Sequence, residues 1–413
     1  MTTLFSQDLY YPDFNIIENN NTHPENLFIH TMSSSGYHMA ILDTDLYPNW
    51  YINSGDHGFD FKPNNDKLSY FKKNNSFWII MDEYMNEVDT LSNPSGFDYH
   101  DINILPNDNL LVFRYDSSYV DMSALVEDGS PFASVVYCVI EEYDSNHNLL
   151  HSWNGLEELD ITEYVHIDLT TERIAWMHVN SLEVDEEGDL LISDRRSSQI
   201  LKINWPEGNL IWTLGGEFNE FTFINDSLSG PRLQHDARLL ENGNIMMFDN
   251  HVMNQINQSL SSRVVEYQLD EENFTAELVW EYSHPQEYLG VAMGSAQRLS
   301  NHNTLINWGL VNGYGTLITE VDYDKNIVLD IQYPNGYQTY KVRKSDWIFE
   351  ENLIIGDANS DSIVDILDVM YLVNYILYNE EEDNAFHLFK LDINKDRLFD
   401  VNDILLIIDI VLN

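Results

Sequence analysis

Basic residues are what this sequence has least of. Lysine and arginine together number 20 against 69 aspartates and glutamates, a formal net charge of -49 over 413 residues. A charge of that size repels phosphate backbones and anionic bilayers, which argues against nucleic-acid and membrane-surface partners. Cysteine is nearly absent too. The single Cys138, in the apolar run VVYCVIEEY, has no second cysteine to pair with, so there is no disulfide scaffold within the chain. Long hydrophobic runs are missing: no stretch approaches the ~18 apolar residues of a spanning helix. The opening residues MTTLFSQDLYYPDF lack the basic and apolar segments of a signal peptide. As they stand, they leave either a cytoplasmic protein or one whose leader has been removed.

Apolar side chains are plentiful. Hydrophobic residues make up 43% and aromatics 13%, too much for a disordered acidic chain and enough for a sizeable core. The charge balance then poses a question. A protein this acidic could take an anionic substrate only at a site carrying its own positive charge.

The composition changes near residue 350, which predicts two domains, 1–350 and 351–413. The first is all-β. Four segments read as strand, tight polar turn, strand: INILPNDNLLVF (102–113), LEVDEEGDLLIS (182–193), ARLLENGNIMMF (237–248) and QRLSNHNTLINW (297–308). Turns of Asn, Gly and Asp tolerate positive φ, which hairpins need. Aligned on the residue before the second strand, the segments give Asn109, Asp189, Asn244 and Asn303, at steps of 80, 55 and 59 residues. Further strand pairs fill the gaps, among them QILKINWPEGNLIWTLGG and RVVEYQLDEENFTAELVWEY. Residues 37–53 and 66–91 read as two further units. About four strands per 50–60 residues is the arithmetic of a β-propeller, with five or six blades readable and six expected. A large β-sandwich is the alternative, and the regular spacing argues against it.

The repeats also align at their starts. His100 lies nine residues before Asn109, His235 nine before Asn244, and His178 eleven before Asp189. Gly294, nine before Asn303, breaks the rule. Equivalent positions on innermost strands converge on the channel of a propeller, so these three histidines are expected to meet. Arg195 and Arg196 follow the strand LLIS, one expected to point to the channel and the other away. Imidazoles beside a guanidinium suit a small tetrahedral anion such as sulfate or phosphate. Three imidazoles suit a metal as well, although the neighbouring arginine would repel a cation.

The stretches FDYHDINILPNDNLLVF, WMHVNSLEVDEEGDLLISDRRSSQILKI, IWTLGG, LQHDARLLENGNIMMFDN, and INWG followed by LITEVDYDKNIVLD resemble the aryl-sulfate sulfotransferase (arylsulfotransferase) family of β-propeller enzymes. The resemblance runs over roughly residues 30 to 340. It implies transfer of a sulfuryl group from a phenolic sulfate ester to a phenol, with no cofactor for the transfer chemistry. It also implies roles. The nucleophile of the QH motif matches His235. The H-x-NS histidine and asparagine match His178 and Asn180. The arginine of the S-x-R pattern matches Arg195, and the histidine of the earlier HD motif matches His100. In the mechanism this suggests, His235 is sulfated, Arg195, His178 and Asn180 hold the sulfuryl oxygens, and His100 serves as general acid and then base. Two departures stand out. The N-terminal sandwich of some members has no counterpart in the first 30 residues, and Asp194 is an acid where many members carry a small residue. Competing readings are a sulfate-ester hydrolase using the same pocket and a non-catalytic propeller that binds sulfated glycan or protein.

The second domain carries two matched acidic loops, DANSDSIVDILD (357–368) and DINKDRLFDVND (392–403), each leading into an apolar helical stripe. Both have oxygen side chains at loop positions 1, 3, 5, 9 and 12, the spacing of an EF-hand-type calcium loop. The expected calcium ligands are Asp357, Asn359, Asp361, Asp365 and Asp368, then Asp392, Asn394, Asp396, Asp400 and Asp403. Ile363 and Leu398 would offer backbone carbonyls at position 7. The usual glycine at position 6 is replaced by Ser362 and Arg397, which predicts a strained turn. The pair resembles a type I dockerin. That implies a structural calcium requirement, a cohesin-like protein partner, and a secreted or periplasmic location.

Overall fold

The computed structural model describes residues 7–8, 11–34, 36–55, 57–163, 167–252, 261–347, 354–359, 361–378, 390–396 and 398–413. Arg397 lies outside this set. Six sheets form the blades of a propeller, antiparallel except for a short parallel strand added to blade 3 (Arg173–Ala175) and to blade 5 (Thr222–Ile224). The four hairpins read from the sequence are the inner halves of blades 3 to 6, with Ile102 paired to Val112, Leu182 to Ile192, Arg238 to Met246, and Gln297 to Leu305. Blade 2 runs from Phe59 to Leu91. Blade 1 differs from the sequence reading. Residues 37–53 hold its two outer strands, and its innermost strand is Val342–Ser345, which pairs with Asn26–Ser33. The chain thus closes the ring by returning its C-terminal propeller strand to the first blade. A second clasp is Asn15–Asn19, the outermost strand of blade 6.

Turn chemistry explains why the hairpins recur. The residue preceding each aligned position takes a left-handed conformation: Asp108 at φ 63°, Gly188 at 88°, Gly243 at 80° and His302 at 69°. The aligned residue then ties the turn to the third strand. Asn109 donates to Glu142, Asn244 to Glu266 and Asn303 to Glu320, each at 2.6 Å. Blade 4 exchanges the charges. Asp189 lies 3.9 Å from Lys202, which also sits 2.9 Å from Asp185. Lys202 occupies the register position held elsewhere by the glutamate.

The apolar core lies in wedges between adjacent blades. Leu191, Trp212 and Val265 join blades 4 and 5, while Phe248, Ala296 and Trp308 join blades 5 and 6. Trp78, Trp176, Trp212 and Trp308 are fully buried. Truncating such a ring to alanine typically costs about 3–5 kcal/mol.

Beyond the propeller, each acidic loop leads into a helix, Ile366–Tyr378 and Val401–Leu412. The loop carboxylates cap these helices. Asp403 accepts from the Asp400 amide at 3.0 Å, and Asp368 accepts from the Asp365 amide at 2.7 Å. Ser362 takes the sharp turn of the first loop at φ 68°, a conformation that favours glycine.

Candidate active site

Six blades contribute six residues at or just before the start of the innermost strand. Blades 3, 4 and 5 place His100, His178 and His235 there; blade 1 places Lys341, and blades 2 and 6 place Gly58 and Gly294. The glycine that broke the histidine rule has a steric reason. At Gly294, φ is 108° and a Cβ would lie 2.4 Å from the Phe248 ring, so no side chain fits.

Two of the three histidines touch, and His235 lies near enough to act electrostatically on His178 and to feel His100. The rings of His100 and His178 lie edge to face with centroids 4.9 Å apart. Burial pushes the His178 imidazole down to about 2, and His100, His235, Arg195 and Arg196 all push the same way. His235 is pushed down to about 3, first by burial, then by Arg195, His100 and Lys341. Both rings are therefore neutral at physiological pH. Arg195 acts on both imidazoles, and Arg196 acts on His178.

The His235 tautomer follows from its neighbours. Nδ1 of His235 lies 2.6 Å from Oδ1 of Asn250. The Asn250 amide nitrogen donates to the carbonyls of Gly290, at 2.8 Å, and Met293, at 3.0 Å. Its oxygen is thus the acceptor facing the ring, and Nδ1 must carry the proton. The Nε2 lone pair is left free. Asn250 sits at the end of the FDN stretch, just past strand Ile245–Asp249, and sequence reasoning gave it no role. The only available signal was a polar residue next to a buried run.

Asn180 braces the backbone around His235. Its amide donates to the Gln234 carbonyl at 2.7 Å and accepts from the Asp236 amide at 3.3 Å. It therefore ties down the backbone on both sides of His235. His100 pairs its Nδ1 with the Asp98 carboxylate. Asp194 accepts from the backbone amides of His178, at 2.8 Å, and Arg196, at 3.1 Å, and from the Ser197 hydroxyl at 3.0 Å. It holds the turn that carries the two arginines.

Those arginines stand apart from the other basic groups. Arg195 Nη2 donates to the Val291 carbonyl at 3.0 Å, but the Nε atoms of both Arg195 and Arg196 are buried without a hydrogen-bond partner. Among the described residues, neither guanidinium has a carboxylate within ion-pair distance, in a chain with 69 acids. The wall beside them is aromatic. The half-buried Tyr99 stacks on His100 at 4.2 Å, and Tyr340 lies edge-on at 5.3 Å.

The channel next to the histidines is closed by an ion-pair plug that the sequence did not reveal. Lys62 pairs with Asp60 at 2.7 Å and with Asp101; Arg238 pairs with Asp101 at 2.7 Å, Asp236 at 3.0 Å and Glu183 at 3.1 Å. Arg343 pairs with Asp236 at 2.6 Å. Lys341 lies 3.5 Å from Asp60 and donates to the His100 carbonyl at 2.7 Å. These four acids and four bases balance. Bulges in the innermost strands of blades 2 and 5 help, by turning Asp60 and Asp236 to positive φ.

No three histidine, cysteine or acidic side chains among the described residues are arranged to hold a metal. In the C-terminal loops, Asp357, Asp368, Asp392 and Asp403 are buried. Their oxygens accept backbone amides, as in Asp361 to Asp357 and Asp396 to Asp392, both at 3.1 Å.

A six-bladed propeller with a neutral histidine cluster and unpaired guanidiniums is the class that fold and site define. Residues 15–342 match the model of the arylsulfotransferase (ASST) family, and the chain belongs to that family. Residues 355–412 match the dockerin type I domain. No curated protein matches the chain. Among solved structures, it is similar to a protein of unknown function from Bacteroides caccae, at 14% identity and TM-score 0.46, covering 78% of this chain and 99% of that one. It is also similar to virginiamycin B lyase from Staphylococcus aureus, at 12% identity and TM-score 0.38, covering 78% and 89%. No helix among the described residues is long and apolar enough to cross a membrane.

Proposed function

We propose that this protein moves a sulfuryl group from a phenolic sulfate ester to a phenol through a sulfohistidine on His235. The observation that carries this is the locked, neutral His235 within the field of Arg195, whose Nε is buried and unpaired. A neutral imidazole with a free Nε2 is a competent nucleophile, and a buried guanidinium without a carboxylate is made for an anion.

In the first step Nε2 of His235 attacks sulfur, and the bond from sulfur to the aryl oxygen breaks. His100, oriented by Asp98, protonates the leaving phenolate. In the second step His100 takes the proton of the incoming phenol, whose oxygen attacks sulfur and frees His235. Arg195, Arg196 and His178 hold the sulfuryl oxygens while charge redistributes, as the metal and arginine clamps of phosphoryl transfer do. Asn180 acts as a positioning residue through the backbone around His235. Tyr99 offers the aromatic face for the phenol ring.

The test is intact-mass analysis after adding a phenyl sulfate donor without acceptor. Wild type gains one sulfuryl group and His235→Asn gains none. An unmodified wild type, or equal turnover in the variant, would sink the assignment. Free sulfate produced at full rate without phenol would favour the hydrolase instead.

We also propose that the C-terminal module binds structural calcium. The donor types are the oxygens that calcium takes, at the loop spacing it needs. Burial, with Asp392 adding, pushes Asp403 up to about 6, so a cation drawn into that loop would favour its charged form. Asp357, Asn359, Asp361, Asp365 and Asp368, with the Ile363 carbonyl, would hold one ion. Asp392, Asn394, Asp396, Asp400 and Asp403, with the Leu398 carbonyl, would hold the other. The module leaves Ile366, Leu367, Met370, Leu405 and Leu412 exposed, which suits a cohesin-like partner and a secreted or periplasmic setting.

A further inference from the structure

The C-terminal module packs against blade 1, and the polar contacts there come from its second calcium loop. The turn of blade 1 between Leu42 and Pro48 presents Asp43 and Tyr47. The Tyr47 hydroxyl donates to Oδ2 of Asp392, the first residue of the second loop. Lys395, in the same loop, pairs with Asp43 at 3.2 Å and lies over the Tyr47 ring at 5.3 Å. The segment Gln7–Asp8 adds a strand to Leu398–Phe399, in the middle of that loop. One apolar cluster runs from Leu46, Tyr47 and Tyr51 of blade 1 into Leu391, Phe399 and Ile407 of the module. Ala358 of the first loop joins the same cluster, but among the described residues no propeller side chain donates to a carboxylate of that loop. Asp357 instead has Lys390 of its own module 4.0 Å away.

We propose that blade 1 completes the second calcium site by supplying Tyr47 as the outer-shell donor to Asp392. The proposal rests on the calcium reading above. A ligating carboxylate uses one oxygen for the metal. Its other oxygen, held by a fixed donor, sets the orientation of the group. Loss of such an outer-shell partner typically costs about 10–100-fold in metal affinity. Asp392 is divided in this way: Oδ1 accepts from Asp396 inside the loop, and Oδ2 accepts from Tyr47 outside it. The two loops, alike in sequence, therefore differ in support. Only the second borrows a hydroxyl from the catalytic domain, so calcium there also seats the module on blade 1.

The test is calcium titration of the full, chelator-stripped chain by calorimetry, in wild type, Tyr47→Phe and Asp357→Asn. Wild type should show two sites. Asp357→Asn should lose one of them. Tyr47→Phe should weaken the other by about 10-fold or more and leave the first unchanged, with thermal unfolding of the calcium-free chain close to wild type. Two sites in Tyr47→Phe with wild-type constants would overturn the proposal while leaving the calcium reading intact. No calcium binding in wild type would overturn the calcium reading itself.

Discussion

At the scale of single residues, Asn250 does the most with the least exposure. Its two amide protons are held by carbonyls of the loop between blades 5 and 6, so its oxygen faces His235. One side chain thus decides which nitrogen of His235 is free. Asn250→Ala would let both tautomers form and let the ring turn. The expected loss is on the order of 100-fold in the rate of His235 sulfation, measured before steady state. Asn250→Asp keeps an acceptor at Nδ1 and should retain a larger share of the rate. Wild-type kinetics in the alanine variant would show that the tautomer does not matter. Arg195 works by a different principle. It is half-buried with no carboxylate in ion-pair distance among the described residues, and on the proposed mechanism replacing it with methionine should cost about 3 kcal/mol of transition-state stabilisation, read as a fall in turnover.

At the scale of elements, each inner hairpin is latched to the third strand of its blade. Blades 3, 5 and 6 use asparagine to glutamate, and blade 4 uses aspartate to lysine. The exchange has a consequence. Lys202→Glu would set a fourth acid beside Asp185, Asp189 and Glu271 and should destabilise the chain by about 1–3 kcal/mol. Adding Asp189→Asn restores the donor that the other blades use and should recover part of that loss. Urea unfolding of the two variants measures the difference. Equal stabilities would mean that the latch is not a coupled pair. The blade that breaks the histidine pattern is explained at this scale as well, because Gly294 lies against Phe248 with no room for a Cβ.

At the scale of the whole molecule, buried neutral imidazoles set the acid limit. His30, His178 and His235 are pushed down to about 3, 2 and 3, and His38 and His284 to about 4, with burial the leading cause throughout. The unfolded chain binds these protons near pH 6.5, and the folded chain does not until well below it. Their contribution to stability is complete above about pH 6.5 and shrinks as the pH falls, by up to about 1.4 kcal/mol per unit for each group. The raised carboxyls of Glu25, Glu183, Asp330 and Asp403 act in the opposite direction but are fewer. Melting temperature should drop steadily from pH 7 to pH 5. A flat profile would contradict the neutral, buried state of the cluster.

Repetition was legible from the chain alone, because hairpin turns require particular residues. The Asn and Gly positions at 109, 188, 243–244 and 303 announced four blades. The same repetition brought His100, His178 and His235 to matched positions, and the paired acidic loops were written out in their spacing. What the chain could not state was set by contacts between distant segments. The closure of blade 1 by Val342–Ser345, the Asn250 lock on His235, the Asn180 bridge, the Arg238–Asp101 and Arg343–Asp236 pairs of the plug and the Tyr47 contact with Asp392 join residues from 15 to 345 positions apart. Periodicity is local and survives in the sequence. Which buried donor meets which acceptor depends on how six sheets pack around one axis, and only the tertiary structure decides that.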